Sequence, residues 1–555
     1  MQTSSVRLIE YFEGRKQNLI PLFQRPYRWT VENWERLWRD LDESNVDAPH
    51  FTGAIVSLPV RTMPVGVNKY LVIDGQQRLT TVAILLAALR PFLQGKTRER
   101  THNYLVNPLD EGADIYRILP TQVDRPAFQA IVDETTHHQS SLLTSAYDYF
   151  YSQITEAIDS DDPLDPEALL TKIEYALKVV TINLDDKTED PYEIFESLNA
   201  TGTPLTAADL IRNSVLMQFR HSLGDGGDQE RIYRTLWLPI EANCGDGDTL
   251  QMFFMHYCRT DGSEVQKKGV YKAFKKRIED KSSEDVEKLL VEIKSYSAIY
   301  PRLLRPQVEA NQNIRKPLEG LNSLGVSVYY PVLLRLLRAF EEGSLTLSEL
   351  QASLSMIESF AIRRAVCNIK NNALDGFLAK TVSGLPDKGV VTYLGKTLAS
   401  GVKNLRWPND VEFKENFCIV SQYGRSGTLH ILWTLEESYD HKETVTREGV
   451  NIEHILPQTL TPEWLEDLDG IDANQIDACK DRFGNLTLTG YNPELSNKRF
   501  RDKRILYADS HLELNRELAQ LDVWNPNAVG ERGEALAARA LRIWKMPEAV
   551  DAAVV

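Results

Sequence analysis

The chain has 555 residues, of which 42% are apolar and 26% charged, with a formal net charge of −16. That length exceeds one hydrophobic core and predicts roughly three or four units at about 150 residues each. The composition excludes a wholly disordered, collagen-like or disulfide-framework chain, and the negative sum argues against a generic basic coat for DNA while leaving a local patch open.

No apolar run approaches the ~20 residues that span a bilayer; the best, residues 82–89, is eight long. The start, Met1-Gln2-Thr3-Ser4-Ser5, has no basic region followed by an apolar stretch, so no secretory signal is read. Five scattered cysteines without a C-x-x-C pair argue against a disulfide scaffold or zinc-cysteine cluster. They make a reducing cytoplasm the expected setting.

In chain order, residues 51–58 and 69–73 read as buried strands, and residues 79–93 as a helix. Residues 144–175 are mostly helical, with a polar loop at 159–166. A short strand follows at 179–184 and a helix at 193–198, ending at Asn199-Ala200-Thr201-Gly202. The next helix opens at Thr206, with Asp209 three residues on, close to a capping box. From 210 to 420 helical periodicity dominates, as at 328–340 and 345–364, with loops at Gly224–Gly227 and Gly245–Gly247. The last 115 or so residues gather His, Asn and Gly, and end in a helix over 531–544. There is no repeat of fixed period.

A first constellation runs from a strand through a glycine into a helix: Ile73-Asp74-Gly75-Gln76-Gln77-Arg78-Leu79-Thr80-Thr81. Free N–H groups and partial positive charge at a helix start suit phosphate. Gly75 permits a tight turn, Arg78 offers a bidentate phosphate contact, and Asp74 could hold a metal or a ribose hydroxyl. The plain alternative is a capped turn with Arg78 paired to a carboxylate. A Walker A loop is excluded. Gly395-Lys396-Thr397 has its upstream glycine at Gly389, one residue too far, and Gly95-Lys96-Thr97 has Arg90 in that place. Upstream, Gln24, Arg25, Tyr27 and Arg28 interleave with Phe23 and Trp29, a mixture that grips phosphate and stacks on rings. Its alternative is a proline-bent loop with Trp29 and Trp34 in the core.

A second constellation lies near the C-terminus. Asn451-Ile452-Glu453-His454-Ile455-Leu456-Pro457-Gln458 is followed by Gly484-Asn485-Leu486-Thr487-Leu488, Asn492 and Ser496-Asn497-Lys498. The order fits a ββα-metal nuclease finger. Phosphodiester hydrolysis needs a water activated near a hard cation and a base opposite it. His454 is the candidate base, Glu453 and Asn492 are candidate Mg²⁺ ligands, and Asn485 would fix the His454 loop or ring. Lys498, Arg499, Arg501, Lys503 and Arg504 put five cations in seven residues, enough to hold DNA phosphates. Each member has an ordinary alternative: His454 as a core histidine, the cations as a solvated helix face. Asn492 before Pro493 could be a helix cap, which keeps Asn497 open as the ligand.

Together these blocks resemble a known family. Residues 23–29 and 73–81, with Phe195–Gly202 and Asp209–Asn213, resemble the GmrS-type domain, related to ParB and sulfiredoxin folds. Residues 452–458, 484–488 and 496–498 resemble the GmrD-type HNH nuclease domain. The middle matches loosely, through Arg363-Arg364 and Cys367-Asn368. One chain holding both is similar to a GmrSD-type, modification-dependent (type IV) restriction endonuclease.

The resemblance implies an α+β, multidomain fold: an N-terminal ParB/sulfiredoxin-like α/β sensor domain over 1–215, a helical middle over 216–415, and a C-terminal ββα-metal (HNH) nuclease domain over 416–555. Asp74, Gly75, Gln76, Gln77 and Arg78, with Gln24 and Arg25 nearby, would form a nucleotide pocket for ATP, GTP or CTP. His454, Asn485 and Asn492 or Asn497 would form the nuclease centre. Glu453 stands where HNH enzymes commonly carry Asp. The implied activity is NTP-regulated, Mg²⁺-dependent cleavage of modified double-stranded phage DNA, by a chain that admits a homodimer and needs no membrane. The alternatives are a ParB-like, nucleotide-switched DNA-binding regulator and an NTPase without nuclease activity.

Overall fold

The computed structural model describes residues 2–22, 24–61, 66–135, 141–184, 206–219, 227–245, 247–439, 441, 445–490 and 495–547. The chain divides into two compact units: residues 1–242, 246–251 and 268–291 in the first, and 243–245, 252–267 and 292–555 in the second. No helix among the described residues is long and apolar enough to cross a membrane.

The first unit is built on a mixed six-stranded sheet of order β1-β6-β3-β4-β2-β5. The strands are β1 (Gln2–Arg7), β2 (Lys16–Leu19), β3 (His50–Arg61), β4 (Asn68–Asp74), β5 (Ile118–Leu119) and β6 (Leu177–Asn183). β3, β4 and β6 arise where apolar, β-branched runs predict them. β1, β2 and β5 carry no such signal. β2 is polar in sequence yet buried, because Gln17 Nε2 donates to the Tyr116 carbonyl (2.9 Å) and Asn18 Nδ2 to the Tyr11 carbonyl (2.8 Å). Pairing both side-chain NH₂ groups offsets much of the cost of burial, though Gln17 Oε1 has no partner.

Helix α1 (Val31–Glu43) was not foreseen; its Trp34, Leu37 and Leu41 form an inward stripe. Helix α2 (Gln76–Leu89) starts three residues before the predicted position and stops sooner. Pro91 explains the stop, since it lacks an N–H and sits in a 3-10 turn over Arg90–Phe92. From Leu79 to Leu89 every residue of α2 is buried, as expected for a helix apolar on all sides. It packs against α5 (Leu142–Ile158), the longer of the two helices that flank the predicted polar loop. Helix α6 (Ala207–Met217) opens on a true capping box: Thr206 Oγ1 accepts from Asp209 N (3.2 Å) and Thr206 N donates to Asp209 Oδ2 (3.0 Å). The helix expected at 193–198 and its Asn-Ala-Thr-Gly stop lie outside the described residues.

The second unit is mainly helical. The predicted pair forms as α7 (Tyr330–Glu341) and α8 (Leu347–Val366), the latter capped by Thr346 and Glu349. The Arg363-Arg364 pair is structural. Arg363, wholly buried, donates to the carbonyls of Trp544 (2.6 Å) and Pro408 (3.1 Å). Arg364 donates to those of Asn404 (2.7 Å) and Lys370 (3.1 Å). The pair thus ties α8 to the segment after it and to the end of the C-terminal helix α12 (Pro526–Ile543). That helix begins earlier than predicted, with Asn525 as side-chain cap and Pro526 in the first turn. Within this unit lies a two-stranded antiparallel ribbon, β7 (Asn451–His454) and β8 (Leu486–Thr489), with Glu453 opposite Thr487 and His454 opposite Leu486.

Candidate functional site

In the first unit the strand-to-helix turn brings three sequence blocks together. Gly75 is the cap of α2 and sits at φ +88°. A Cβ there would lie 2.8 Å from Ile55 Cγ1 and 3.0 Å from the Ala54 carbonyl, so glycine is required on both counts. Asp74 Oδ1 accepts from Gly75 N (2.8 Å) and so closes the turn on itself.

Gln24 and Gln77 turn inward. Gln24 Nε2 donates to the Ile73 carbonyl (2.8 Å), and Gln77 Oε1 accepts from Arg28 N (2.7 Å). They lace the 24–28 loop to β4 and α2. Tyr27 is core, with its hydroxyl on Thr81 Oγ1 (2.7 Å) and on the Trp34 indole N–H (2.8 Å). Gln76 is buried, and its Oε1 has no hydrogen-bond partner.

The cations differ. Arg78 makes no ion pair among the described residues. Its Nη1 donates to the Ala54 carbonyl (2.8 Å), and Gly53 leaves room for the guanidinium, since a Cβ there would stand 2.6 Å from Nη2. Burial lowers its pKa, with Asp74 opposing. Arg78 lines a cavity of about 180 Å³ with Trp29, Arg36, Asp40 and His50. Arg25 is half-buried; burial lowers its pKa, and the fields of Asp209 and Asp74 oppose the shift. Asp209 also pairs with the buried Arg212 (2.8 Å), which reaches Glu241 (2.7 Å).

In the second unit the ribbon carries the other motif. His454 ends β7, and its Nε2 lies 2.9 Å from Asp481 Oδ1. A carboxylate only accepts, so Nε2 holds the hydrogen and Nδ1 keeps its lone pair. The edge of the Tyr423 ring, 4.3 Å between centroids, fixes the imidazole plane from another side. Asp481 is itself held, because its carbonyl accepts from Gln422 N (2.7 Å). Burial lowers the His454 pKa and Asp481 partly opposes this, so the imidazole is neutral at pH 7.

Asn485 is fully buried in the turn before β8. Its Oδ1 accepts from Leu456 N (2.8 Å) and the Trp524 indole (2.9 Å); its Nδ2 donates to Leu456 O (2.8 Å) and Lys480 O (2.7 Å). Three of its four amide bonds go to the chain just after His454 and just before Asp481, and the fourth comes from Trp524. Gly484 is obligatory for another reason: a Cβ there would collide with the Val529 carbonyl of α12.

Glu453 turns the other way. It pairs with Lys503 (2.5 Å) of helix α11 (Phe500–Ala508), and Lys503 also donates to the His454 carbonyl (2.8 Å). Burial raises Glu453 and lowers Lys503, and each opposes the other's shift. Lys503 is 0% exposed, so it is no part of a solvent-facing cationic surface. Of the remaining cations, Arg499 pairs with Asp467 and Arg504 with Asp522, while Lys498 and Arg501 are exposed. Arg501 stands beside Asp502 at 3.7 Å. Asn497 is exposed, and Asn492 lies outside the described residues.

Among the described residues no group of three or more His, Cys, Asp or Glu side chains could hold a metal ion. With Glu453 held by an ammonium, the one carboxylate of the expected Mg²⁺ ligand set is already taken.

Sequence reading missed Asp481, Tyr423, Trp524 and Arg532, whose guanidinium bonds the carbonyls of Gly484 (2.9 Å) and Leu486 (2.8 Å). A His and an Asp 27 residues apart give no local signal; only the ribbon brings them together.

Two stretches of the chain match known families. Residues 8–216 match the family described as the GmrSD restriction endonuclease, N-terminal domain. Residues 407–539 match the GmrSD restriction endonucleases, C-terminal domain. A search of curated proteins finds no match. Carrying both domains on one polypeptide, and with them the architecture of a restriction nuclease, the chain belongs to the GmrSD restriction endonuclease family.

Proposed function

We propose that the chain is an NTP-regulated endonuclease of modified double-stranded DNA, with His454 as the general base. The reading is carried by the Asp481–His454 contact, which leaves Nδ1 with a free lone pair on an imidazole that burial keeps neutral. Nδ1 takes a proton from the attacking water as its oxygen bonds to phosphorus and the bond from phosphorus to the leaving sugar oxygen breaks; that oxygen takes a proton from solvent, and Asp481 stabilises the imidazolium that forms. Asn485 positions the chain on both sides. Exposed Lys498 and Arg501 are the DNA-facing cations of this proposal. The second domain is then an HNH-type finger. The divalent cation of such enzymes supplies charge stabilisation when bound, and here Asn497 and Asn492 are the oxygen donors left to hold it.

The first domain is the ParB-like sensor. Arg25 and Arg78 face its turn without ion-pair partners among the described residues, which favours an anionic ligand there. The cavity beside Arg78 takes one sugar- or base-sized group rather than a whole nucleotide, being smaller than the ~300 Å³ of drug-sized sites.

The test is cleavage of unmodified, glucosylated-hydroxymethylcytosine and phosphorothioate DNA with Mg²⁺, with and without each NTP. Cutting of one modified substrate that vanishes in His454→Ala supports the nuclease. No cutting of any substrate overturns it. Arg78→Ala tests the sensor: cleavage is expected to lose its NTP dependence, and unchanged dependence rejects that part.

A further inference from the structure

We infer that Lys503, not a metal ion, is the resident partner of Glu453, and that the pair positions His454. The inference rests on the nuclease reading above, but the ion pair itself does not.

Adjacent side chains on a strand face opposite ways. Their partners follow that rule here: His454 meets Asp481 and Tyr423, whereas Glu453 meets Lys503. Glu453 is 7% exposed and Lys503 0%, so the pair is sealed from water. One ammonium makes two bonds, to Glu453 Oε1 (2.5 Å) and to the His454 carbonyl (2.8 Å). It therefore joins the carboxylate, the backbone of the base and helix α11 at one atom.

A divalent ion on this carboxylate would need an oxygen at ~2.1 Å and several waters around it. It would also place two positive charges beside a buried ammonium. Lys503 Nζ already stands 2.5 Å from Glu453 Oε1, where such an ion would have to sit. Lys503 shares the buried face of α11 with Phe500 and Tyr507, which belong with Ile455 and Leu456 to one apolar cluster. Lys503 thus acts as a positioning residue. It sets the register and height of the strand end that carries His454, and the metal, where one is used, binds elsewhere.

Breaking one half of a buried pair costs far more than replacing both halves by neutral groups of like shape. The test is a cycle of Glu453→Gln, Lys503→Met and the double variant in the full-length chain. Lys503→Met is expected to lower the Tm by roughly 5 °C or more, and the double variant to recover at least half of that loss. Wild type and Glu453→Gln are expected to bind Mn²⁺ with affinities within about threefold by calorimetry. In cleavage, Lys503→Met is expected to lower kcat at least tenfold with an unchanged KM for DNA, and the double variant to regain part of it. Additive Tm losses overturn the inference. So does a tenfold weaker Mn²⁺ affinity, or a raised Mg²⁺ requirement, in Glu453→Gln. Should Lys503→Met fail to fold, Glu453→Gln alone against the double variant gives the same comparison. The thermal and calorimetric arms decide the pair even if wild type cuts no DNA, an outcome that would reject only the nuclease reading.

Discussion

The two motif regions solve the same problem in different proportions. At the Asp74–Arg78 turn, Gln24 and Gln77 lace the loop from within, while Arg78 and Arg25 make no ion pair among the described residues. At the ribbon, Asn485 and Lys503 are wholly internal, and His454 keeps the lone pair of Nδ1. On the proposed reading, the first is a turn that holds cations ready for an anion. On the same reading, the second is a scaffold that holds the proposed base still. Polar residues in a motif are therefore as often the frame as the working group, and only their partners tell which.

The comparison is broken most sharply at the base. His454→Ala is expected to cut the cleavage rate by about 10²–10⁴-fold while leaving DNA binding intact, read by a nicking assay beside a gel-shift titration. Next comes the frame. Asn485→Ala orphans the Leu456 backbone groups and the Trp524 indole, and is expected to cost about 3 kcal/mol or more in denaturant unfolding. A cost below about 1 kcal/mol would mean that the loop after His454 stands without it.

The pH response sharpens the assignment of Asp481. Native His454 binds its proton less readily than the unfolded chain does. Between that lowered value and the ordinary one near about 6.5 the unfolded state holds more protons, so this group's contribution to stability rises with pH. It is complete above the ordinary value and lost as pH falls through the native one. Cleavage should likewise persist below pH ~6.5 and fail only further into acid. Removing the carboxylate removes the one neighbour that raises His454. Asp481→Asn is thus expected to move the acid limb of the rate profile to still lower pH, with kcat down roughly tenfold. An acid limb that stays in place would show that the two side chains do not share the proton.

The smallest effect contrasts two neighbours on α2. Gln77→Ala removes the acceptor of Arg28 N and is expected to cost about 1–2 kcal/mol. Arg78→Ala gives up one bond to a backbone carbonyl and should leave the Tm nearly unchanged while weakening nucleotide binding in a fluorescence titration. Equal thermal losses in the two variants would erase the distinction between frame and free cation.

Much of this was legible along the chain because it is local. Thr206 and Asp209 are three residues apart and cap α6 as their spacing predicts; β3, β4 and α2 follow from apolar runs; Gly75 and Asn485 announce a turn and a fixed loop. β1 and β2 were not legible, since polar strands acquire their pairing only from a sheet that other segments build. The same holds for the site. The sequence by itself determined that a Glu-His pair, an Asn and a basic run follow in order, and what chemistry such groups can do. Tertiary structure decided that Asp481 orients the histidine, that Lys503 leaves the surface to meet Glu453, and that Arg78 finds a carbonyl rather than a carboxylate. Spacing fixes which side chains share a helix face or strand, whereas burial and partner depend on segments tens of residues away, which only the folded core brings within hydrogen-bond reach.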